Sequence, residues 1–307
     1  MKLTGTFLDE ISHDIPHQNW GRAEWSQDFK HMKSVGIQRV ILIRSGYRRW
    51  LTYPSKVLTR REVGCFTPSV DLVKMFLELA EENNMEFYFG TYDSGHFWDS
   101  GGDVEHDFAL NMPVIEEVWQ QYGKYSAFKG WYLSLELSRR ISDAALTRYR
   151  QIGEHCKAVS NNLPVLMSPY VELKPTATGI DWATHERDWD AIFAALETSV
   201  DIVAFQDGHV DIADLPDFLR INKKLADKYG IRSWTNSESF DRDMPIKFLP
   251  IKWEKLRLKL EAAHAAGIED AITFEFSHFM SPQSAYLQAG HLYRRYEEYL
   301  AEKGLKY

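Results

Sequence analysis

Lys228-Tyr229-Gly230-Ile231-Arg232-Ser233-Trp234-Thr235-Asn236-Ser237-Glu238 decides how the chain is read. A helical pattern stops at a glycine. An isoleucine re-enters the core, a short strand-like run follows, and an acid stands just beyond it. Glycine suits the left-handed residue that ends a helix. The same αβ turn recurs as Ser34-Val35-Gly36-Ile37 and as Ala266-Gly267-Ile268.

Working outward, short runs rich in Val, Ile, Phe, Tyr or Leu predict strands at Lys2 to Leu8, Arg39 to Ile43, Glu86 to Thr91 and Gly130 to Leu135. Four more are predicted at Pro164 to Ser168, Asp201 to Gln206, Ile231 to Thr235 and Asp270 to Phe274. Buried parallel strands have this composition. Their mean spacing is about 38 residues, one β-loop-α-loop unit. Helical stripes lie between them, such as Trp25, Phe29, Met32 and Val35, or Leu72, Met75, Phe76 and Leu79. Strict alternation implies a parallel sheet with right-handed crossovers. Eight repeats favour an α/β fold closed as a single (β/α)8 TIM barrel. No Pro- or Ser-rich linker divides residues 1–307, so one domain is expected.

Composition narrows the function classes. The 307 residues carry 36 Lys and Arg against 44 Asp and Glu, a net charge of −8. An acidic chain without a basic run is a poor partner for nucleic acid, because phosphate contact needs clustered cations. The N-terminus lacks an apolar leader, and no run approaches the ~20 apolar residues of a membrane span. Cys65 and Cys156 make neither a disulfide framework nor a metal signature. A cytoplasmic location is expected from these features. No phosphate-binding glycine loop, nucleophile elbow or His-Glu-x-x-His pattern occurs, and no cofactor is called for.

Three connections exceed what turn geometry needs: Ser45 to Ser69, Tyr92 to Val104 and Tyr170 to Glu186. Long loops on one barrel face build a cleft. The second holds Asp93 and Trp98 among glycines and acids, and reads as a substrate loop. Polar residues also crowd the strand ends: Asp93, Glu136, Asp207 with His209, Glu238, and Glu275 with His278. A barrel keeps its chemistry at the C-terminal ends of its strands. Any one of these acids reads equally well as an ion-pair partner or helix cap. Five or six around one ring repel one another, and a fold that keeps them together has a use for them.

Glu136 and Glu238 are the favoured pair, since strands four and seven face each other across the mouth. Carboxyls about 5–5.5 Å apart across a cleft suit double displacement at a sugar anomeric carbon. One must stay protonated to serve the leaving oxygen, and the other must be ionised to attack. Trp234 shares strand parity with Glu238 and, with Trp98, is a candidate for stacking on a sugar face. Asp93, Asp207, His209 and Glu275 are candidates to hold hydroxyls.

Gly5-Thr6-Phe7-Leu8, Met32-Lys33-Ser34-Val35-Gly36-Ile37, Ala204-Phe205-Gln206-Asp207-Gly208-His209 and Phe274-Glu275-Phe276 resemble an uncharacterised bacterial family of glycosidase-like TIM barrels. That family, a domain of unknown function, stands near the large clan of retaining glycoside hydrolases. The resemblance implies an acid/base Glu ending strand four and a nucleophilic Glu ending strand seven, positions that Glu136 and Glu238 match. Leu135 stands where the clan usually has an Asn that holds the sugar 2-hydroxyl, and Asp207 or Glu275 is an alternative partner.

The leading expectation is therefore a glycoside hydrolase acting on a carbohydrate substrate. A second is a sugar isomerase or epimerase with a divalent metal held by Glu136, Asp207, His209, Glu238 and Glu275, since Mg²⁺ and Mn²⁺ prefer such oxygen-rich donors. A third is a barrel that binds carbohydrate without turnover.

Overall fold

The structure is a computed structural model that describes residues 1–62, 64–171, 181–242 and 248–305. Eight strands form its centre: β1 (Leu3–Leu8), β2 (Arg39–Leu42), β3 (Glu86–Gly90), β4 (Phe128–Leu133), β5 (Val165–Met167), β6 (Ile202–Gln206), β7 (Arg232–Asn236) and β8 (Asp270–Thr273). Each pairs in parallel with its sequence neighbours, and β8 returns to β1 to close the barrel. Helices follow the strands, among them Arg22–Ser34, Leu72–Asn83, Glu105–Tyr122, Asp143–Val159, Trp182–Leu196, Leu215–Lys228, Trp253–Ala265 and Leu287–Glu302. All eight expected strands and the closed barrel are present.

The repeated αβ turn has one geometry. Gly36, Gly230 and Gly267 have φ of 91°, 68° and 73°. The N–H groups of Ile37, Ile231 and Ile268 donate to the carbonyls of Met32, Ala226 and Ala263, five residues back, at 3.1, 3.0 and 3.1 Å. This is the long bond of a Schellman cap, and it needs a residue that tolerates positive φ.

Strand four lies two residues earlier than expected. Ser134 leaves the ladder because its side chain replaces it: Oγ donates to the Thr91 carbonyl at 2.8 Å, and its N–H donates to Thr91 Oγ1 at 3.0 Å. A side chain bonded across to the neighbouring strand competes with the ladder in this way. Glu136 therefore stands in the loop beyond β4, at the rim of the mouth.

The core has two shells. Phe7, Ile41, Tyr88, Tyr132, Leu166, Ile202, Trp234 and Ile272 fill the barrel. A larger cluster packs the outer strand faces against the helices. Each such side chain contributes about 1.5–3 kcal/mol when fully buried. Gly130 lets the Tyr88 ring pass: a Cβ there would lie 2.3 Å from Tyr88 Cε1. At the N-terminal end, Arg39 closes the barrel. It pairs with Glu86 at 3.2 Å and Asp270 at 3.1 Å, and its guanidinium lies 4.5 Å from the Trp234 ring centroid.

Two of the long connections carry structure of their own. Residues 45–69 form a ribbon, Gly46–Tyr47 with Trp50–Leu51, and the helix Lys56–Arg61; residues 92–104 form the short helix His96–Asp99. Of the third, residues 172–180 lie outside the described residues. A further connection, after β7, folds into the ribbon Phe240–Asp241 with Leu249–Pro250.

Candidate active site

A cavity of about 150 Å³ opens at the C-terminal ends of the strands. Glu136 and Glu238 both line it, together with Arg44, Arg242, Gln206 and Asn236. Its deeper wall is aromatic and aliphatic, with Phe7, Ile43, Tyr132 and Phe274. The exposed lining is mainly polar.

Glu238 follows β7 by two residues and is 2% exposed. Arg242 clasps it bidentately, with Nε donating to Oε2 at 3.0 Å and Nη2 donating to Oε1 at 2.8 Å. The guanidinium rests over Phe240 at 4.8 Å and Phe248 at 5.7 Å, so aromatic faces hold the fork in place. This pairing uses one lone pair on each Glu238 oxygen. A carboxylate offers about four lone-pair sites, so two remain for other use.

Glu136 has different surroundings. Burial pushes its carboxyl above the usual carboxylate range, and nearby Glu238 adds to the rise; the Arg44 and Arg242 guanidiniums and a hydrogen bond from the Gln206 side chain oppose it. Two carboxyls on one cavity wall thus have different electrostatic surroundings. The Tyr132 hydroxyl and Asn236 Oδ1 are buried behind this wall, and neither has a hydrogen-bond partner among the described residues.

The structure distributes the remaining candidates differently from the sequence-based expectation. Asp93 does not line this cavity. It sits behind the wall and accepts from Arg44 Nε at 3.0 Å, while Arg44 Nη1 donates to Ser12 Oγ at 2.8 Å. Its carboxylate aims Arg44 into the cavity rather than holding a hydroxyl. Asp207 is equally buried and accepts from Lys259 Nζ at 2.7 Å and from the Glu238 N–H at 3.1 Å. Lys259 in turn donates to the Glu238 carbonyl at 3.1 Å. Asp207 thereby fixes the backbone that carries Glu238. Burial raises its carboxyl above the usual range, and Lys259 counters it.

Glu275 is fully buried and caps the turn Phe276–Phe279, accepting from the N–H groups of Ser277 and His278. It also pairs with His278 Nδ1, and His278 Nε2 lies 2.6 Å from the Pro16 carbonyl. His209 turns its Nδ1 to the Val171 carbonyl at 3.0 Å. Trp234 has the expected parity but the wrong level: it lies beneath Arg39 at the N-terminal end of the barrel, away from the mouth. Trp98, 42% exposed, lines a neighbouring cavity that Glu136 also borders.

The five-residue metal ring does not assemble. Arg242, Lys259 and His278 each take one of its carboxylates, and among the described residues no group of three or more His, Cys, Asp or Glu is placed to hold a metal ion. No helix among them is long and apolar enough to cross a membrane.

Arg44, Arg242, Gln206, Asn236 and Tyr132 escaped the sequence reading. Gln206 and Asn236 are the last residues of β6 and β7, and Arg44 follows β2 by two. The strand-end rule finds all three once neutral and basic residues are counted with acids. Arg242 follows a short ribbon strand, Phe240–Asp241, that no periodicity announced.

The same fold recurs in solved structures. A proposed alpha-L-fucosidase from Bacteroides thetaiotaomicron VPI-5482 is 57% identical, with a TM-score of 0.94, over 98% of this chain and 95% of that one. An endo-1,4-beta-D-mannanase from Thermotoga petrophila RKU-1 is 11% identical, with a TM-score of 0.60, over 89% and 88%. The intracellular xylanase TsXylA of Thermoanaerobacterium saccharolyticum is 10% identical, with a TM-score of 0.53, over 89% and 85%. The latter two share the barrel fold alone. A comparison with curated proteins finds no match. The sequence profile of the domain of unknown function DUF4434 matches residues 3–286, and the chain belongs to that family.

Proposed function

We propose that the protein is a glycoside hydrolase that releases a terminal sugar, with Glu136 as general acid/base and Glu238 as nucleophile. One observation carries the reading: two carboxyls share one small cavity at the barrel mouth, one pushed toward its protonated form by burial and the other clasped by a guanidinium. A volume of about 150 Å³ is below the roughly 300–1,000 Å³ typical of drug-sized ligand pockets, so it suits one sugar ring rather than a chain.

In the first step a Glu238 oxygen bonds to the anomeric carbon. The glycosidic C–O bond breaks, and its oxygen takes the Glu136 proton as it leaves. In the second, Glu136, now a carboxylate, takes a proton from water. The water oxygen bonds to the anomeric carbon, and the ester bond to Glu238 breaks. Arg242 fixes the orientation of Glu238, and Arg44 faces the cavity where charge changes hands.

The 57% identical structure supports alpha-L-fucosides as the first substrates to try. The apolar side chains of Phe7, Ile43 and Phe274 suit the methyl group of such a sugar. The test is a panel of 4-nitrophenyl glycosides, the alpha-L-fucoside included, against wild type, Glu136→Gln and Glu238→Gln. Turnover in wild type that falls by orders of magnitude in both variants, with folding intact, supports the reading. Full activity in either variant removes that residue. Sugar binding without turnover of any glycoside replaces hydrolysis with carbohydrate binding.

A further inference from the structure

Glu136 borders two cavities. Besides the one it shares with Glu238, it lines a second, of about 270 Å³, with Phe97, Trp98, Leu137, Ser138 and Tyr170 among its walls. Glu238 lines only the first. An acid that protonates a glycosidic oxygen must reach the atom joining the sugar to its leaving group. A carboxyl standing between two cavities therefore puts one part of the substrate in each. The attacked ring belongs beside Glu238, and the leaving group belongs beside Trp98.

The second cavity is built for a ring. Trp98 keeps 42% of its surface in solvent, an unusual exposure for so large an apolar side chain. Its ring centroid stands 6.3 Å from that of Tyr170 at 48°, and Phe97 buttresses it edge-on at 5.1 Å and 85°. The short helix that carries it is tied down: Arg48 Nη2 donates to Asp99 at 3.0 Å, and Asp107 Oδ1 accepts from the Ser94 N–H at 2.8 Å. The exposed indole is thus held on an anchored segment.

We propose that this second cavity is the leaving-group subsite and that it takes a second sugar ring stacked on Trp98. The proposal rests on the hydrolase reading and adds to it that the substrates are glycans with a pyranose, rather than a small alcohol, on the leaving side. An indole face is a suitable platform for the C–H face of a pyranose.

The experiment measures saturation-transfer NMR binding of methyl β-D-galactoside, methyl β-D-glucoside and methyl N-acetyl-β-D-glucosaminide. Wild type, Trp98→Ala and Trp50→Ala are compared, the last removing an exposed tryptophan outside both cavities. At least one glycoside is expected to bind wild type and Trp50→Ala alike. Its affinity for Trp98→Ala is expected to fall about tenfold, the scale of one lost aromatic contact. Binding of none of the three to wild type, equal binding to Trp98→Ala, or an equal loss in Trp50→Ala overturns the proposal. If the protein still cleaves an aryl glycoside, the hydrolase reading survives that failure. Trp98-dependent binding in a protein that cleaves no glycoside overturns the hydrolase reading and the leaving-group role with it.

Discussion

Arg242 reaches back four residues to grip both oxygens of Glu238, a buried fork-to-fork pair on the wall of the cavity. Arg242→Lys keeps the charge but loses the planar fork. Turnover is expected to fall about a hundredfold, the effect of a small misplacement of a reacting group. Loss of the cation in Arg242→Gln leaves Glu238 buried and unpaired, at a cost of about 3–5 kcal/mol. Steady-state kinetics and thermal melts of the two variants check this; equal loss of stability in both would contradict it.

Glu136 must be protonated to act on the leaving oxygen, and its pKa is raised. The rate is therefore expected to hold above the ordinary carboxylate range and to decline as pH climbs through the raised value. Glu136→Gln should lack that alkaline limb and run about 10²–10⁴-fold slower. The deficit should shrink with 2,4-dinitrophenyl glycosides, whose leaving group needs little protonation. A pH–rate profile unchanged in shape by the substitution would exclude this role.

Gly208 leaves no room for a side chain: a Cβ would stand 1.6 Å from Glu238 Oε2 and 2.8 Å from Arg242 Nε. Gly208→Ala should displace the carboxylate and disrupt the Arg242 clasp. Overpacking of this kind costs about 1–3 kcal/mol. Activity should fall far more than the melting temperature, and a crystal structure should show Glu238 turned away.

The Tyr132 hydroxyl is buried behind the cavity wall without a partner among the described residues. Removing an unsatisfied group need not weaken a protein. Tyr132→Phe should leave the melting temperature unchanged or higher and change kcat/KM little, because the hydroxyl is closed off from the cavity. A melting temperature several degrees lower would assign the hydroxyl a structural role instead.

His278 is held at a pKa of about 9; burial lowers it, and the Glu275 carboxylate, followed by the Pro16 carbonyl, raises it further. A folded value above the ordinary 6.5 means that the protonated ring favours folding. That contribution is complete below pH 6.5 and is lost as pH rises through about 9. Asp28 is raised by burial to about 7 from 3.8, so its contribution fades earlier, between those two values. Melting temperatures should drop steadily on the alkaline side, and His278→Gln should flatten the portion between pH 6.5 and 9.

The barrel was legible in the sequence because its grammar is local. A glycine, an isoleucine and a short apolar run occupy a handful of consecutive residues, and Gly36, Gly230 and Gly267 repeat them. Strand ends were less secure where side chains compete with the ladder, as Ser134 does. The position of Glu136 and Glu238 at the barrel mouth was legible because their distance from a strand end is set by the chain itself. Asp207 and Glu275 satisfied the same rule, but their roles depend on Lys259 and His278, partners that strand position does not reveal. Trp234 had the right parity, yet parity fixes a face of the strand and not a height within the barrel.

The Asp207 contact with Lys259 extends the demands of the chemistry beyond the cavity. Lys259 rises from the outer helix Trp253–Ala265, buried to 5% exposure, and braces the main chain of Glu238 from behind. Shifts in how that helix packs are thereby transmitted to the alignment of a carboxylate it never touches through its own side chain. If the proposed hydrolysis is this site's reaction, variation at the helix–strand seam tunes its rate while every residue lining the cavity stays the same.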